Sequence, residues 1–160
     1  MIDVRVVQEK VREAVQTINF MTPENHLSHI NLMLNNEQSP SGKQALTDIL
    51  ENRRIAMDQK VPMCQDTGVA LIFVELGQDV RLSGGLLSSA IIEGVRQGYQ
   101  EGFLRKSVVA EPLFERSNTR DNTPPVIYYD LVPGETLKIS VAAKGFGAEN
   151  MSRVVMLTPA

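Results

Sequence analysis

One cysteine occurs in the 160 residues, in the run Lys60-Val61-Pro62-Met63-Cys64-Gln65-Asp66-Thr67-Gly68. An amide, a carboxylate and a glycine follow it within four residues, and no other stretch concentrates so much chemistry. A thiolate is both a nucleophile and a soft metal ligand, and its role depends on how its charge is stabilised and which groups share its site. A lone thiol cannot hold a metal cluster, so three readings stand open for Cys64. It ligates metal together with other residues, it reacts, or it fills a small apolar hole as free cysteines commonly do. As a redox sensor it would need a depressed pKa. Lys60 favours the thiolate, Asp66 opposes it, and a resolving cysteine is lacking.

Cysteine catalysis usually needs a histidine base, and the two histidines, His26 and His29, lie three apart on one face of an expected helix. No cysteine or carboxylate is spaced with them as a metal set requires, so they read as surface or interface residues. Gly145-Phe146-Gly147 could present backbone N–H groups to an anion, but it lacks the length and the Lys-Ser/Thr of a phosphate loop and reads as a turn.

These residues must be held by the elements around them. After Asp3, a candidate cap, Val7, Val11, Ala14, Val15 and Ile18 keep a helical period over 4–20. Thr22-Pro23-Glu24 predicts a second start, with Thr22 as cap, for a helix ending near Asn35-Asn36. Ser39-Pro40-Ser41-Gly42 reads as a turn, and Ala45, Leu46, Ile49, Leu50, Ala56 and Met57 carry a third helix that Pro62 stops. Val69 to Val74 is an apolar run with the length of a buried strand, which puts the cysteine on a helix-to-strand connection.

Ser83 is expected to cap a long helix through Leu86, Leu87, Ala90, Ile91, Val95 and Tyr99. The same helix carries Gly94, Gly98 and Gly102 on one face. Interior glycine costs about 1 kcal/mol relative to alanine, so either a close backbone requires them or they are merely tolerated. Ser117 to Pro125 is polar and reads as an exposed loop. Val126–Val132 and Leu137–Val141 flank Pro133-Gly134 and are expected to form a hairpin.

The composition, 42% hydrophobic and 22% charged with net charge -3, is that of an ordinary folded domain. Lys and Arg are scattered, which gives no footprint for nucleic acid. No apolar stretch approaches the roughly 20 residues of a membrane span. A single cysteine and no signal-peptide core point to a cytosolic, reducing setting. The expected fold is α+β: an amino-terminal helical layer packed on a small mixed β-sheet with one long covering helix. The expected organisation is a single domain over 1–160, helical over 1–60 and mixed over 61–160.

Cys64-Gln65-Asp66-Thr67-Gly68 resembles the first cluster-ligand motif of the class I, iron–sulfur-dependent fumarate hydratases and the related tartrate dehydratase alpha subunits. The likeness extends to Pro62, the apolar strand after the motif, Leu104-Arg105-Lys106-Ser107-Val108-Val109, Pro124-Pro125 leading into Ile127-Tyr128-Tyr129-Asp130, and Lys144 to Ser152. It covers essentially the whole chain and is strongest from about residue 60 onward.

The resemblance implies a hydro-lyase that reversibly hydrates fumarate to (S)-malate, a step of the tricarboxylic acid cycle. It also implies a [4Fe-4S] cluster whose open iron acts as a Lewis acid on a dicarboxylate substrate. By resemblance Cys64 is a cluster ligand, Gln65 and Asp66 face the substrate with Asp66 near the exchanged hydroxyl, Arg105 binds a substrate carboxylate, and Gly147 brings backbone close to the ligand. Gly147-Ala148-Glu149-Asn150-Met151 is closer to the fumarase pattern than to the tartrate dehydratase one, and tartrate dehydratase is the alternative. The family's other two cluster cysteines and its catalytic base are absent here. Together with the ending at Thr158-Pro159-Ala160, this predicts the amino-terminal fragment of an alpha part, inactive alone. Its expected partners are the remainder of that part, a beta subunit or carboxy-terminal domain, and further copies in a homo-oligomer. The competing class is a non-catalytic module whose helical first third docks a partner and whose cysteine is structural.

Overall fold

The computed structural model describes residues 1–147 and 151–158. In chain order the elements are β1 (Ile2–Asp3), α1 (Val4–Phe20), α2 (Glu24–Asn36), α3 (Pro40–Gln59), β2 (Val69–Gly77), β3 (Leu82–Ser83), α4 (Leu87–Glu101), β4 (Val126–Val132) and β5 (Leu137–Lys144). The architecture is α+β, as expected. Two helices cover one face of a mixed three-stranded sheet, and β1 and β3 form a separate parallel pair.

Asp3 caps α1 by accepting the Arg5 N–H at 2.9 Å, which satisfies one of the orphan donors of the first turn. The buried valines Val4, Val7, Val11 and Val15 then form one stripe. That stripe meets α4 through its glycines. A Cβ at Gly94 would lie 2.5 Å from the Gln8 carbonyl oxygen and 3.0 Å from the Val11 Cβ, and one at Gly98 would lie 3.0 Å from the Arg12 carbonyl oxygen. Close backbone approach, rather than tolerance, is therefore why α4 carries these glycines. The buried apolar residues of α1, α4 and β2, among them Val11, Val15, Ile72, Val74, Ile91, Val95 and Tyr99, form one cluster.

The expected hairpin does not form. β4 and β5 flank β2 on opposite sides, β4 parallel to it and β5 antiparallel. The alternation of Leu137, Ile139 and Val141 toward the helices holds, but β2, apolar from Val69 to Val74, lies in the middle of the sheet, where a neighbour on each edge pairs its backbone N–H and C=O groups on both sides. Residues 133–136 bridge the resulting gap of about 10 Å, two strand spacings, across the end of β2. There Gly77 N–H donates to the Thr136 carbonyl at 2.9 Å and Asp79 N–H to that of Gly134 at 2.9 Å. On the sheet face away from the helices, Phe73 and Tyr128 stack with ring centroids 5.2 Å apart.

Other boundaries shift for local reasons. Thr22 is buried against Arg53 instead of capping α2, where Pro23 takes the cap position without a side-chain bond. Ser39-Pro40 is the start of α3 itself, with Ser39 as cap and Pro40 in the first turn. Ser83 pairs with Asp3 in β3. Gly84 and Gly85, with φ of 87° and 135°, delay α4 until Leu87. The helical layer on the sheet is built by α1 and α4. α2 buries no residue and α3 buries only Ala56, so these two pack mainly on each other.

Candidate active site

The cysteine turn is anchored on its amino-terminal side through Met63. Its N–H donates to the Asn19 carbonyl at the end of α1 at 2.9 Å, and its carbonyl accepts the Asn52 side-chain amide of α3 at 2.8 Å. Pinned there, Cys64 and Gln65 are exposed. The exposure of Cys64 overturns the reading of it as a buried filler. Its Sγ accepts the Asp66 N–H at 3.4 Å and donates to Gln65 Oε1 at 3.8 Å.

Asp66 turns back into the fold. Its Oδ1 accepts the Gly68 N–H at 3.2 Å, and its Oδ2 accepts the Phe146 N–H at 3.1 Å, 80 residues away. The 145–147 segment, read as an ordinary turn, is thereby brought onto the cysteine turn. A Cβ at Gly147 would lie 3.9 Å from Asp66 Oδ2, and one at Gly145 only 2.9 Å from it. Gly68 has φ of 62°, and a Cβ there would fall 2.1 Å from the Lys144 carbonyl oxygen, so only glycine fits. Ala148, Glu149 and Asn150, which carry much of the fumarase-like pattern, lie outside the described residues.

Arg105 arrives by a third route. Thr67, 3% exposed, donates its hydroxyl to the Arg105 carbonyl at 3.0 Å, and the Arg105 side chain is exposed. The five residues singled out in the sequence thus come from three segments linked by direct hydrogen bonds. The histidines do not join them, since His26 and His29 are exposed on α2.

Two buried polar side chains behind these segments escaped the sequence reading. Tyr99 of α4 is 1% exposed and donates to the carbonyls of Thr67 and Gly68, each at 3.1 Å; burial pushes its hydroxyl pKa up to about 12. Asn122 is fully buried, although it lies in the run expected to be an exposed loop. Its amide donates to the Gly68 carbonyl at 2.9 Å, and its Oδ1 accepts the N–H groups of Ser107 and Val108 at 2.7 and 3.0 Å. Polar residues in a polar run give no hint of burial. Tyr99 was visible only as the last apolar position of a helix.

Among the described residues no three His, Cys, Asp or Glu side chains are grouped to hold a metal ion. An exposed thiol on a pinned turn suits one ligand of an iron–sulfur cluster. With one cysteine in the sequence, the other ligands have to come from elsewhere.

Comparison with known proteins relates the sequence of this chain to a family. A Methanocaldococcus jannaschii protein provisionally named L(+)-tartrate dehydratase subunit alpha is 35% identical over 159 residues, covering 96% of this chain and 54% of the relative. The aerobic class I fumarate hydratase of Escherichia coli strain K12 is 32% identical over 151 residues, covering 93% of this chain and 27% of the relative. The L(+)-tartrate dehydratase subunit alpha of E. coli strain UTI89 is 29% identical over 160 residues, 98% of this chain and 52% of the relative. The chain therefore spans from about a quarter to about half the length of these relatives. The family described as fumarate hydratase (Fumerase) matches residues 8–160, and the chain belongs to that family.

Proposed function

We propose that this chain supplies one cluster ligand and part of the dicarboxylate site of an iron–sulfur hydro-lyase, and that the reaction is the reversible hydration of fumarate to (S)-malate. The observation that carries the proposal is the exposed Cys64-Gln65-Asp66 turn, bonded through Thr67 to the Arg105 segment and through Asp66 to residues 145–147. Cys64 would be one thiolate ligand of a [4Fe-4S] cluster, which when bound supplies an open iron position that polarises substrate oxygens. Arg105 presents a planar fork that matches a carboxylate with two parallel hydrogen bonds, where neighbouring Lys106 would offer only a point charge. Gln65 would donate to and accept from the substrate through an exposed amide next to Cys64. Asp66, whose carboxylate is held by the Gly68 and Phe146 N–H groups, would lie near the exchanged hydroxyl. The missing β-carbon at Gly147 lets the substrate approach the backbone next to that carboxylate.

Relatives named for fumarate and for tartrate chemistry match at similar identity, so the substrate choice rests on Gly147-Ala148-Glu149-Asn150-Met151. Tartrate dehydration is the second reading, favoured by relatives named as tartrate dehydratase alpha subunits. In either case the remaining ligands and the base come from the rest of the alpha part and from a beta part. The deciding experiment offers fumarate, (S)-malate and L(+)-tartrate separately to the anaerobically reconstituted full-length protein with its beta part. Fumarate and malate should interconvert with at least tenfold higher kcat/KM than tartrate is dehydrated. Preference for tartrate replaces the main reading with the second.

A further inference from the structure

We infer that Asn122 is a positioning residue that fixes the Arg105 segment relative to the cysteine turn, so that the guanidinium meets a dicarboxylate held beside Cys64, Gln65 and Asp66. The inference rests on the proposed role of Arg105. It draws on a set of bonds that the likeness to the family does not assign.

The Asn122 side chain touches two of the three site segments at once. One face of its amide donates to the Gly68 carbonyl, and both acceptor positions of its Oδ1 are taken by Ser107 and Val108 N–H. The two segments are 54 and 14 residues away in sequence, so no local turn could hold them together. Thr67 closes the frame with its bond to the Arg105 carbonyl, and Tyr99 occupies the second lone pair of the Gly68 carbonyl. Asn122, Thr67, Tyr99 and Gly68 are buried and Ser107 and Val108 are half-buried, and a donor or acceptor shielded in this way that loses its partner must find another, which moves the segment. Moving 105–108 by about 1 Å displaces a guanidinium at the end of a long side chain, and misplacement on that scale is enough to weaken a bidentate contact.

The residue type follows from the same geometry. Asn122 has φ of 62°, a region that asparagine enters at low cost and most side chains avoid. Aspartate would tolerate that backbone and keep the two accepted bonds, but it would set a carboxylate against the Gly68 carbonyl. Glutamine would not fit the space of a fully buried asparagine. The position therefore asks for one donor, a double acceptor, short reach and a left-handed backbone, and asparagine alone meets all four.

The test uses Asn122→Gly, which removes the side-chain bonds without backbone strain, in the full-length protein with its beta part. Three quantities are read: amide exchange at Ser107 and Val108, the Kd of succinate as an unreactive four-carbon dicarboxylate, and the separate KM and kcat for hydration. The expected result is at least tenfold faster exchange at both amides, about tenfold weaker succinate binding and a KM raised by a similar factor, with kcat changed less than threefold. A fall in kcat or in folded fraction with KM and succinate Kd unchanged would mark Asn122 as merely structural and overturn the inference. If Asn122→Gly fails to fold, Asn122→Asp, which keeps the two accepted bonds and loses the donation to the Gly68 carbonyl, carries the test. Weaker succinate binding supports positioning, and unchanged binding overturns it. Wild-type protein that binds no succinate and hydrates no dicarboxylate sinks the functional proposal itself and this inference with it.

Discussion

At the scale of single residues, the chemistry is set by which side chains are exposed and which are locked. Cys64 and Gln65 face outward because Met63 is tied on both sides to α1 and α3, and Asp66 faces inward because two backbone N–H groups claim its carboxylate. Tyr99 sits beneath them. Its hydroxyl pKa of about 12 in the fold lies above the ordinary value of 10.0, and burial is the main cause. The sign follows from proton counting. Between these two values the unfolded chain has lost the proton and the folded chain keeps it, so Tyr99 lends full stability below pH 10 and loses it as pH climbs toward 12. Its share of the slope is about 1.4 kcal/mol per pH unit. Denaturant unfolding just below pH 10 and midway to 12 should show wild type losing about 1 kcal/mol more than Tyr99→Phe. Equal losses would mean that the hydroxyl ionises freely in the fold.

What could be read at this scale before the structure was the Cys64-Gln65-Asp66 run as a concentration of chemistry, whereas Arg105 and Gly147 entered only through the resemblance. The support of the site could not be read. Asn122 stands in Ser117 to Pro125, where every neighbour argues for solvent, and its burial depends on Ser107, Val108 and Gly68, which are distant in the chain.

At the scale of elements, α1 against α4 is the packing on which the site depends, because α4 carries Tyr99 and α1 carries Asn19. Glycine lets the two backbones approach. Gly94→Ala gains roughly 1 kcal/mol of helix propensity. It also drives a methyl group to 2.5 Å from the Gln8 carbonyl oxygen, a rigid backbone atom rather than a yielding side chain. Overpacking of this kind costs about 1–3 kcal/mol and should win. Chemical denaturation is expected to find the variant less stable by about 1 kcal/mol, the middle of that cost less the propensity gained. A variant as stable as wild type would return the glycines to simple tolerance. The periodicities of α1 and β2 carried enough information to place them. Pairing is a different matter, because the alternation in β5 shows which face is buried but not which strand lies beside it. The four-residue link at 133–136 suits a hairpin equally well until β2 is seen to need both neighbours.

At the scale of the whole molecule, one apolar cluster joins α1, α4 and the sheet, while α2 and α3 project from it with a single buried residue between them. The three site segments gather at one end of the sheet, where β2 begins and β5 ends, since Val69 pairs with Lys144. A turn carrying one exposed thiol is thus offered beside an arginine segment and a glycine-rich segment, each joined to it by a hydrogen bond. The most direct measurement is anaerobic iron–sulfide reconstitution of the full-length protein with the beta part proposed for it, wild type beside Cys64→Ser, reading bound iron and the loss of fumarate absorbance. Because Cys64 is exposed, the variant should melt with wild type before reconstitution yet, after it, lose cluster-dependent hydration by at least two orders of magnitude. A wild type that takes up no iron, or a Cys64→Ser variant that hydrates fumarate at the wild-type rate, would contradict the assignment of Cys64 as a cluster ligand.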